Sequence, residues 1–200
     1  MRNKLGTVFM VLGAALILAA LALFLYNQTE AERAGQASVE LLPKLVEEIE
    51  RPKETVAEEA IQSAEDYTMT EVTIDGHSYI GYLTIPALNL ELPIMADWDY
   101  DKLQIAPCRY SGTLKGGDLV LMAHNYEKHF GKLSKLSEGD SVIFTDMDGI
   151  VTQYEVIARD VLNPTAVEEM TAGDFDLTLF TCTYGGQSRV TVYCDRINYG

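Results

Sequence analysis

Basic residues are scarce in this 200-residue chain: fifteen Lys and Arg stand against thirty Asp and Glu, a formal net charge of −15. That balance excludes a surface built to grip nucleic acid, whose phosphates demand clustered cations. A glycine-rich phosphate-binding motif, an internal repeat and a low-complexity segment are all missing, and the glycines fall mainly at turns. Histidine and cysteine number only three each, so few side chains are available for acid–base or nucleophilic work. An odd number of cysteines in an exported chain leaves at least one thiol unpaired, and an unpaired thiol outside the cell calls for a reason such as catalysis.

Whether the chain is exported is decided near its start. Leu5 to Tyr26 (LGTVFMVLGAALILAALALFLY) carries no charge and as a helix would reach about 33 Å, against roughly 30 Å of hydrocarbon. Arg2 and Lys4 precede it and acidic residues follow. Positive charge keeps the short N-terminus, residues 1–4, in the cytoplasm and sends the remainder out. The run is longer than the apolar core of a usual cleaved signal, and no small-x-small site closes it, so an uncleaved single-pass anchor over 5–26 is preferred to a signal peptide.

Residues 27–66 hold eleven acidic residues against four basic ones. Val39, Leu42, Leu45, Val46 and Ile49 have helical spacing, broken near Pro52, without the apolar density of a core. A solvated, partly helical acidic stalk is expected. From Tyr67 onward the texture changes to short β-branched and aromatic runs divided by turn signals such as Asp75-Gly76 and Asp148-Gly149. Strands are expected at Glu71 to Ile74, His77 to Ile85, Leu88 to Met95, Leu103 to Tyr110, Leu119 to Asn125, Ser141 to Thr145, Ile150 to Leu162, Leu177 to Thr183 and Arg189 to Ile197. The result is an all-β domain over 67–200, a closed barrel or a sandwich. Short helical turns are expected around Tyr126 to Leu136 and Thr165 to Met170, the second with Thr165 and Glu168 as a capping box.

The stretch Leu177 to Arg189, LTLFTCTYGGQSR, fixes a register. Gly185-Gly186 suits a two-residue hairpin turn needing positive φ. Pairing Tyr184 with Gln187 then sets Cys182 opposite Arg189, Phe180 opposite Thr191, Leu179 opposite Val192 and Leu177 opposite Cys194. One face carries Leu177, Leu179, Thr181, Val190, Val192 and Cys194 toward a core. The other carries Thr178, Cys182, Arg189, Thr191 and Tyr193. A guanidinium opposite a thiol can stabilise a thiolate or a bound oxyanion, although the hairpin alone fits an ordinary structural turn equally well.

His124 closes a second apolar run, LVLMAHN, as Cys182 closes its own, so both can converge on one rim of the sheet. A thiol needs a neighbouring base to act as a nucleophile. Thiol and imidazole are both mostly neutral near pH 7, which leaves an adjacent cation something to do. His129 lies in a polar helix-like turn, where it reads as structural or exposed, and His77 follows a hairpin turn. Cys194 faces away from Cys182, so those two should not pair. Cys108 with Cys194, or two separate buried thiols, both remain open. Asp146, Asp148, Glu168, Glu169, Asp174 and Asp176 are scattered turn carboxylates of the kind usually solvated, and no metal and no cofactor is expected.

LMAHN, followed some sixty residues later by TLFTC and then an arginine, behind an N-terminal anchor, resembles the sortases, the membrane-anchored cysteine transpeptidases of Gram-positive bacteria. The resemblance runs from Tyr67 to Gly200. It implies an eight-stranded sortase β-barrel. It implies that Cys182 attacks the scissile carbonyl of an LPxTG-like sorting signal and forms a thioacyl enzyme. His124 would protonate the leaving amine and then activate the incoming one, Arg189 would orient substrate and steady the oxyanion, and Thr181 would help position the substrate backbone although the register turns it coreward. The implied partners are surface proteins bearing sorting signals and a cell-wall precursor or pilin amine. The class stays open among A, B and D-like. A single N-terminal anchor argues against C-terminally anchored pilin polymerases, and the short 163–176 segment lacks the long class B insertion. Two other readings stand beside this one: a Cys-His peptidase hydrolysing peptide or peptidoglycan bonds, and a tethered barrel that binds a wall component without chemistry.

Overall fold

A computed structural model describes residues 2–51 and 68–197. The expectations for residue 1, for the stalk over 52–66, for Tyr67 and for residues 198–200 lie outside them. Nine strands follow in chain order: β1 Val72–Ile74, β2 His77–Ile85, β3 Leu90–Met95, β4 Cys108–Ser111, β5 Leu119–Ala123, β6 Ser141–Asp146, β7 Val151–Leu162, β8 Leu177–Cys182 and β9 Arg189–Arg196. They hydrogen-bond in the order β1-β2-β3-β4-β5-β8-β9-β7-β6, and β6 also pairs with β2. That last pairing closes β2 to β9 into an eight-stranded barrel with β1 as an extra strand. The all-β barrel expectation holds.

Closure depends on Gly81. It sits in β2 at a register shift toward β3, while also facing Asp146 of β6. Its φ is +146°, and a Cβ there would run into the Thr145 carbonyl; only glycine lets the two backbones approach this closely. At the β1–β2 turn, Asp75 and Gly76 both take positive φ, +50° and +84°, as the primed hairpin turns require.

Apolar alternation then fills three packing layers. The barrel interior holds Leu83, Ile85, Leu92, Ile94, Leu119, Leu121, Phe144, Tyr154, Leu177, Leu179, Val192 and Cys194, among others. Outside β5 and β8, Val120 and Phe180 pack with Leu162 and with Met170 from the short helix α2, Val167–Thr171. On another outer face, Ile74, Tyr79, Met95, Cys108 and Met147 pack against Leu41 and Leu45 of the long helix α1, Arg2–Glu50.

Helix α1 changes the picture of the stalk. Apolar side chains over 5–26 are exposed, and the helix is long and apolar enough there to cross a membrane. The helix continues without a break to Glu50, just before Pro52. Residues 34–45 are not a solvated spacer. Ala34, Gly35, Ser38, Leu41 and Leu45 are buried, a stripe at helical spacing, and Lys44 pairs with Asp75 at 2.5 Å. Val39, part of the expected apolar face, is 67% exposed. The hidden face uses small residues because the helix lies close to the barrel: a Cβ on Gly35 would meet the Lys128 side chain.

Three local expectations are corrected. Lys102–Gln104 forms a 3₁₀ turn and the strand starts only at Cys108, since Pro107 has no N–H to give a ladder. Thr165 does not cap α2. Its hydroxyl donates to Asn163 Oδ1 at 2.8 Å, and the residue before the helix, Ala166, supplies no side-chain cap. The β8–β9 loop is wider than two residues: Thr183 N–H donates to the Ser188 carbonyl at 2.9 Å, and Gly186 N–H donates to the Thr183 carbonyl at 2.8 Å. Tyr184 and Gln187 therefore lie within the loop rather than pairing across it.

Candidate active site

The β8–β9 register matches the expectation pair by pair: Leu177 faces Cys194, Leu179 faces Val192, Phe180 faces Thr191 and Cys182 faces Arg189. On its other side β8 runs parallel to β5, with Thr181 beside Ala123. Parallel neighbours end at the same edge of a sheet. One residue further, His124 and Cys182 therefore leave adjacent strands together, on the face opposite buried Ala123 and Thr181. With strands about 4.8 Å apart, the order β5-β8-β9 lays out His124, Cys182 and Arg189 in one row, the thiol in the middle.

Each member is held from behind. Thr181 is buried, and its hydroxyl donates to the Ala123 carbonyl at 2.8 Å, tying β8 to β5 one residue before the row. Its side chain faces inward, as the hairpin register turned it, and it serves there as a tether between the two strands. The His124 carbonyl accepts from Phe130 N–H at 3.3 Å, and the Tyr126 carbonyl accepts from the N–H groups of His129 and Gly131, both at 2.9 Å. Gly131 is required because a Cβ there would strike the Asn125 carbonyl. The His124 ring leans on Tyr126, centroids 4.9 Å apart, and Tyr126 leans on His129 at 5.6 Å. Arg189 Nη1 donates to the Gly186 and Ser188 carbonyls, each at 3.2 Å, which folds the guanidinium over the hairpin loop.

Burial sets the protonation of His124. It lowers the pKa of His124 below the usual imidazole value, so the ring is neutral at pH 7 and ready to accept a proton. Cys182 is half-buried, whereas Cys108 and Cys194 are buried, and all three thiols are free. Desolvation raises the Cys108 pKa to about 12 and pushes Cys194 up in the same direction. Those two are packing residues. His129 is buried outright; its Nε2 lies 3.4 Å from Ser38 Oγ of α1, and burial lowers its pKa to about 4. His77 lies in β2, paired with Ile74, away from the row.

Three of the turn carboxylates are engaged with backbone and side-chain donors. Asp146 accepts from the N–H groups of Asp148 and Ile150, Asp148 from Thr70, and Asp176 from Arg196 N–H. Among the described residues no group of three or more metal-ligating side chains converges.

Two features escape the sequence. A cleft of about 740 Å³ opens beside His124, with Asn125, Tyr126, Tyr184 and Gly185 on one side and side chains between Phe24 and Ala31 of α1, Asn27 and Glu30 among them, on the other. A row of aromatic rings also leads away from β8. Phe180 meets Tyr110 edge-on at 5.3 Å, and Tyr110 stacks on Trp98 at 5.7 Å.

A closed barrel whose rim aligns an imidazole, a thiol and a guanidinium on three neighbouring strands defines a thiol-centred β-barrel protein. The chain belongs to the sortase family: the family model described as a sortase domain matches residues 83–197. Solved structures agree in fold. Sortase C1 from Streptococcus suis is 29% identical with a TM-score of 0.52, the match covering 61% of this chain and 74% of that one. A Clostridium perfringens sortase C with a C-terminal cell wall sorting motif is 29% identical with a TM-score of 0.53, covering 60% and 71%. Sortase A from Corynebacterium diphtheriae is 24% identical with a TM-score of 0.53, covering 62% and 63%, and shows the fold alone. No curated protein sequence matches the chain significantly. Similarity thus reaches sortases of classes C and A, and it does not narrow the class to A, B or D-like.

Proposed function

We propose that this protein is a membrane-anchored sortase transpeptidase in which Cys182 is the nucleophile, His124 the acid–base group and Arg189 the oxyanion partner. The observation that carries the reading is the row His124, Cys182, Arg189 across β5, β8 and β9. The Cys182 thiol passes its proton to His124 as the sulfur attacks the scissile carbonyl of an LPxTG-like signal. The tetrahedral oxyanion is stabilised by Arg189, once the guanidinium turns from its loop carbonyls to the developing charge. Collapse breaks the peptide C–N bond, His124 gives a proton to the leaving amine, and a thioester remains on Cys182. An incoming amine then loses a proton to His124 as it attacks the thioester, forming a new amide and restoring the thiol.

The anchor places residues 1–4 in the cytoplasm, 5–26 in the membrane, and the segment 27–66 and catalytic domain 67–200 outside. Surface proteins bearing sorting signals, and a wall precursor or pilin amine, are the partners of this reading. A sorting motif on the Clostridium perfringens relative supports that substrate class. A tethered barrel without chemistry has no need of the shared row. A hydrolytic Cys-His peptidase differs from a transpeptidase only in the acceptor.

Both alternatives are separated by one experiment on the full chain in detergent. Sorting-signal peptides are incubated with and without an added amine. Transpeptidation diverts product from acid to amide and is abolished in Cys182→Ala. Acid product alone at every amine concentration means a peptidase, and unchanged cleavage by Cys182→Ala overturns the assignment.

A further inference from the structure

The cleft beside His124 is built by two parts of the chain far apart in sequence. Its inner wall is the rim of the barrel: His124, Asn125, Tyr126, Tyr184 and Gly185. Its outer wall is Phe24, Tyr26, Asn27, Gln28, Glu30 and Ala31 of α1, where the helix leaves its charge-free run. The helix is pinned there by docking further along, through Ala34, Ser38, Leu41 and Leu45 and through Ser38 against His129. That wall is therefore fixed relative to the site.

We propose that this cleft receives the amine acceptor, and that Asn27 and Glu30 of the anchor helix determine which amines it accepts. The inference rests on the transpeptidase reading of the row. Three observations assign the occupant. His124 lines the cleft and Cys182 does not, so a molecule held there meets the base before it meets the thioester. That order suits the nucleophile, whose proton His124 must take, and not the acyl donor, whose carbonyl must reach sulfur first. The charged residues in the lining are Glu30 and Glu127, both acidic. Their present partners, Arg33 at 74% and Lys132 at 28% side-chain exposure, are cations reached from the surface, which an ammonium group can displace at little cost. Finally, the outer wall begins at Phe24 and Tyr26, the end of the apolar run, so the mouth opens at the level where the helix leaves the bilayer. An acceptor carried on a membrane-bound molecule arrives at that height.

The test uses the full chain in lipid nanodiscs with a sorting-signal peptide and triglycine as acceptor, reading the ratio of amide to acid product. Asn27→Trp fills the cleft from an exposed helix position. It should lower that ratio about tenfold at fixed triglycine, the effect of losing one or two good contacts. Glu30→Gln should raise the triglycine concentration for half-maximal amide formation. Val39→Trp, exposed on the same helix outside the cleft, should leave the ratio unchanged. An unaltered ratio in Asn27→Trp, including one in which both products fall together, overturns the cleft assignment while Cys182→Ala remains inactive. Cleavage by Cys182→Ala overturns the underlying reading and this inference with it.

Discussion

Acid should loosen the barrel through His129, and the size of the effect follows from its surroundings. The ring is fully buried between the loop after β5 and helix α1. Its Nε2 faces Ser38 Oγ, and its Nδ1 has no hydrogen-bond partner among the described residues. Burial lowers its pKa from 6.5 to about 4, outweighing the opposing effect of a hydrogen bond with the Ala34 backbone, and the nearby His124 adds to the lowering. A histidine held neutral in the fold takes up its proton more readily when unfolded. Its contribution is thus complete above pH 6.5 and is lost as pH falls toward 4. At about 1.4 kcal/mol per pH unit, the loss over that window is about 3 kcal/mol. His129→Gln keeps an amide to meet Ser38 and does not titrate. Urea unfolding of the full chain in detergent, followed by the single tryptophan Trp98, should show the parent losing about 3 kcal/mol more than the variant between pH 7.5 and pH 4. Hydrogen exchange should find the acid-sensitive opening in residues 34–45 of α1, which rest on His129. Parallel pH curves for parent and variant would refute the burial argument.

Two further outcomes follow from the geometry. Iodoacetamide at pH 7.5 should modify Cys182 in the folded protein, while Cys108 and Cys194 react only after denaturation, because both are buried with thiol pKa values pushed far up; peptide mapping reads the order. Gly81→Ala should cost more than about 2 kcal/mol in urea unfolding, since its Cβ meets the backbone of the strand that closes the barrel. Gly185→Ala, at φ +82° with nothing within 4 Å, should cost only about 1 kcal/mol.

The row was legible because its determinants are local. Alternation along LTLFTC and RVTVYC and a glycine turn between them are enough to set Cys182 against Arg189, even though the loop proved wider than two residues. His124 was reachable because it ends a strand of the same kind. Family membership came from the same residues. The role of α1 was not legible. Its docking stripe is Ala34, Gly35, Ser38, Leu41 and Leu45, and three of those five are small or polar, so of the expected apolar set only Leu45 and the partly buried Ile49 pack against the barrel's outer cluster there. Thr165 offered a capping signature, but its hydroxyl bonds to the nearer Asn163, a local competition that spacing does not reveal. The cleft depends on packing between segments about a hundred residues apart, which periodicity within either one cannot encode.

The central claim is that Cys182, beside His124 and Arg189, carries an acyl group between two amines. Rapid quenching of the full-length enzyme with a sorting-signal peptide, followed by intact mass and peptide mapping, tests it directly. The account predicts an added mass equal to the acyl fragment, located on Cys182, hydroxylamine-labile as a thioester and discharged by added amine. Peptide turnover with no adduct on Cys182, or with the adduct on another residue, would contradict it.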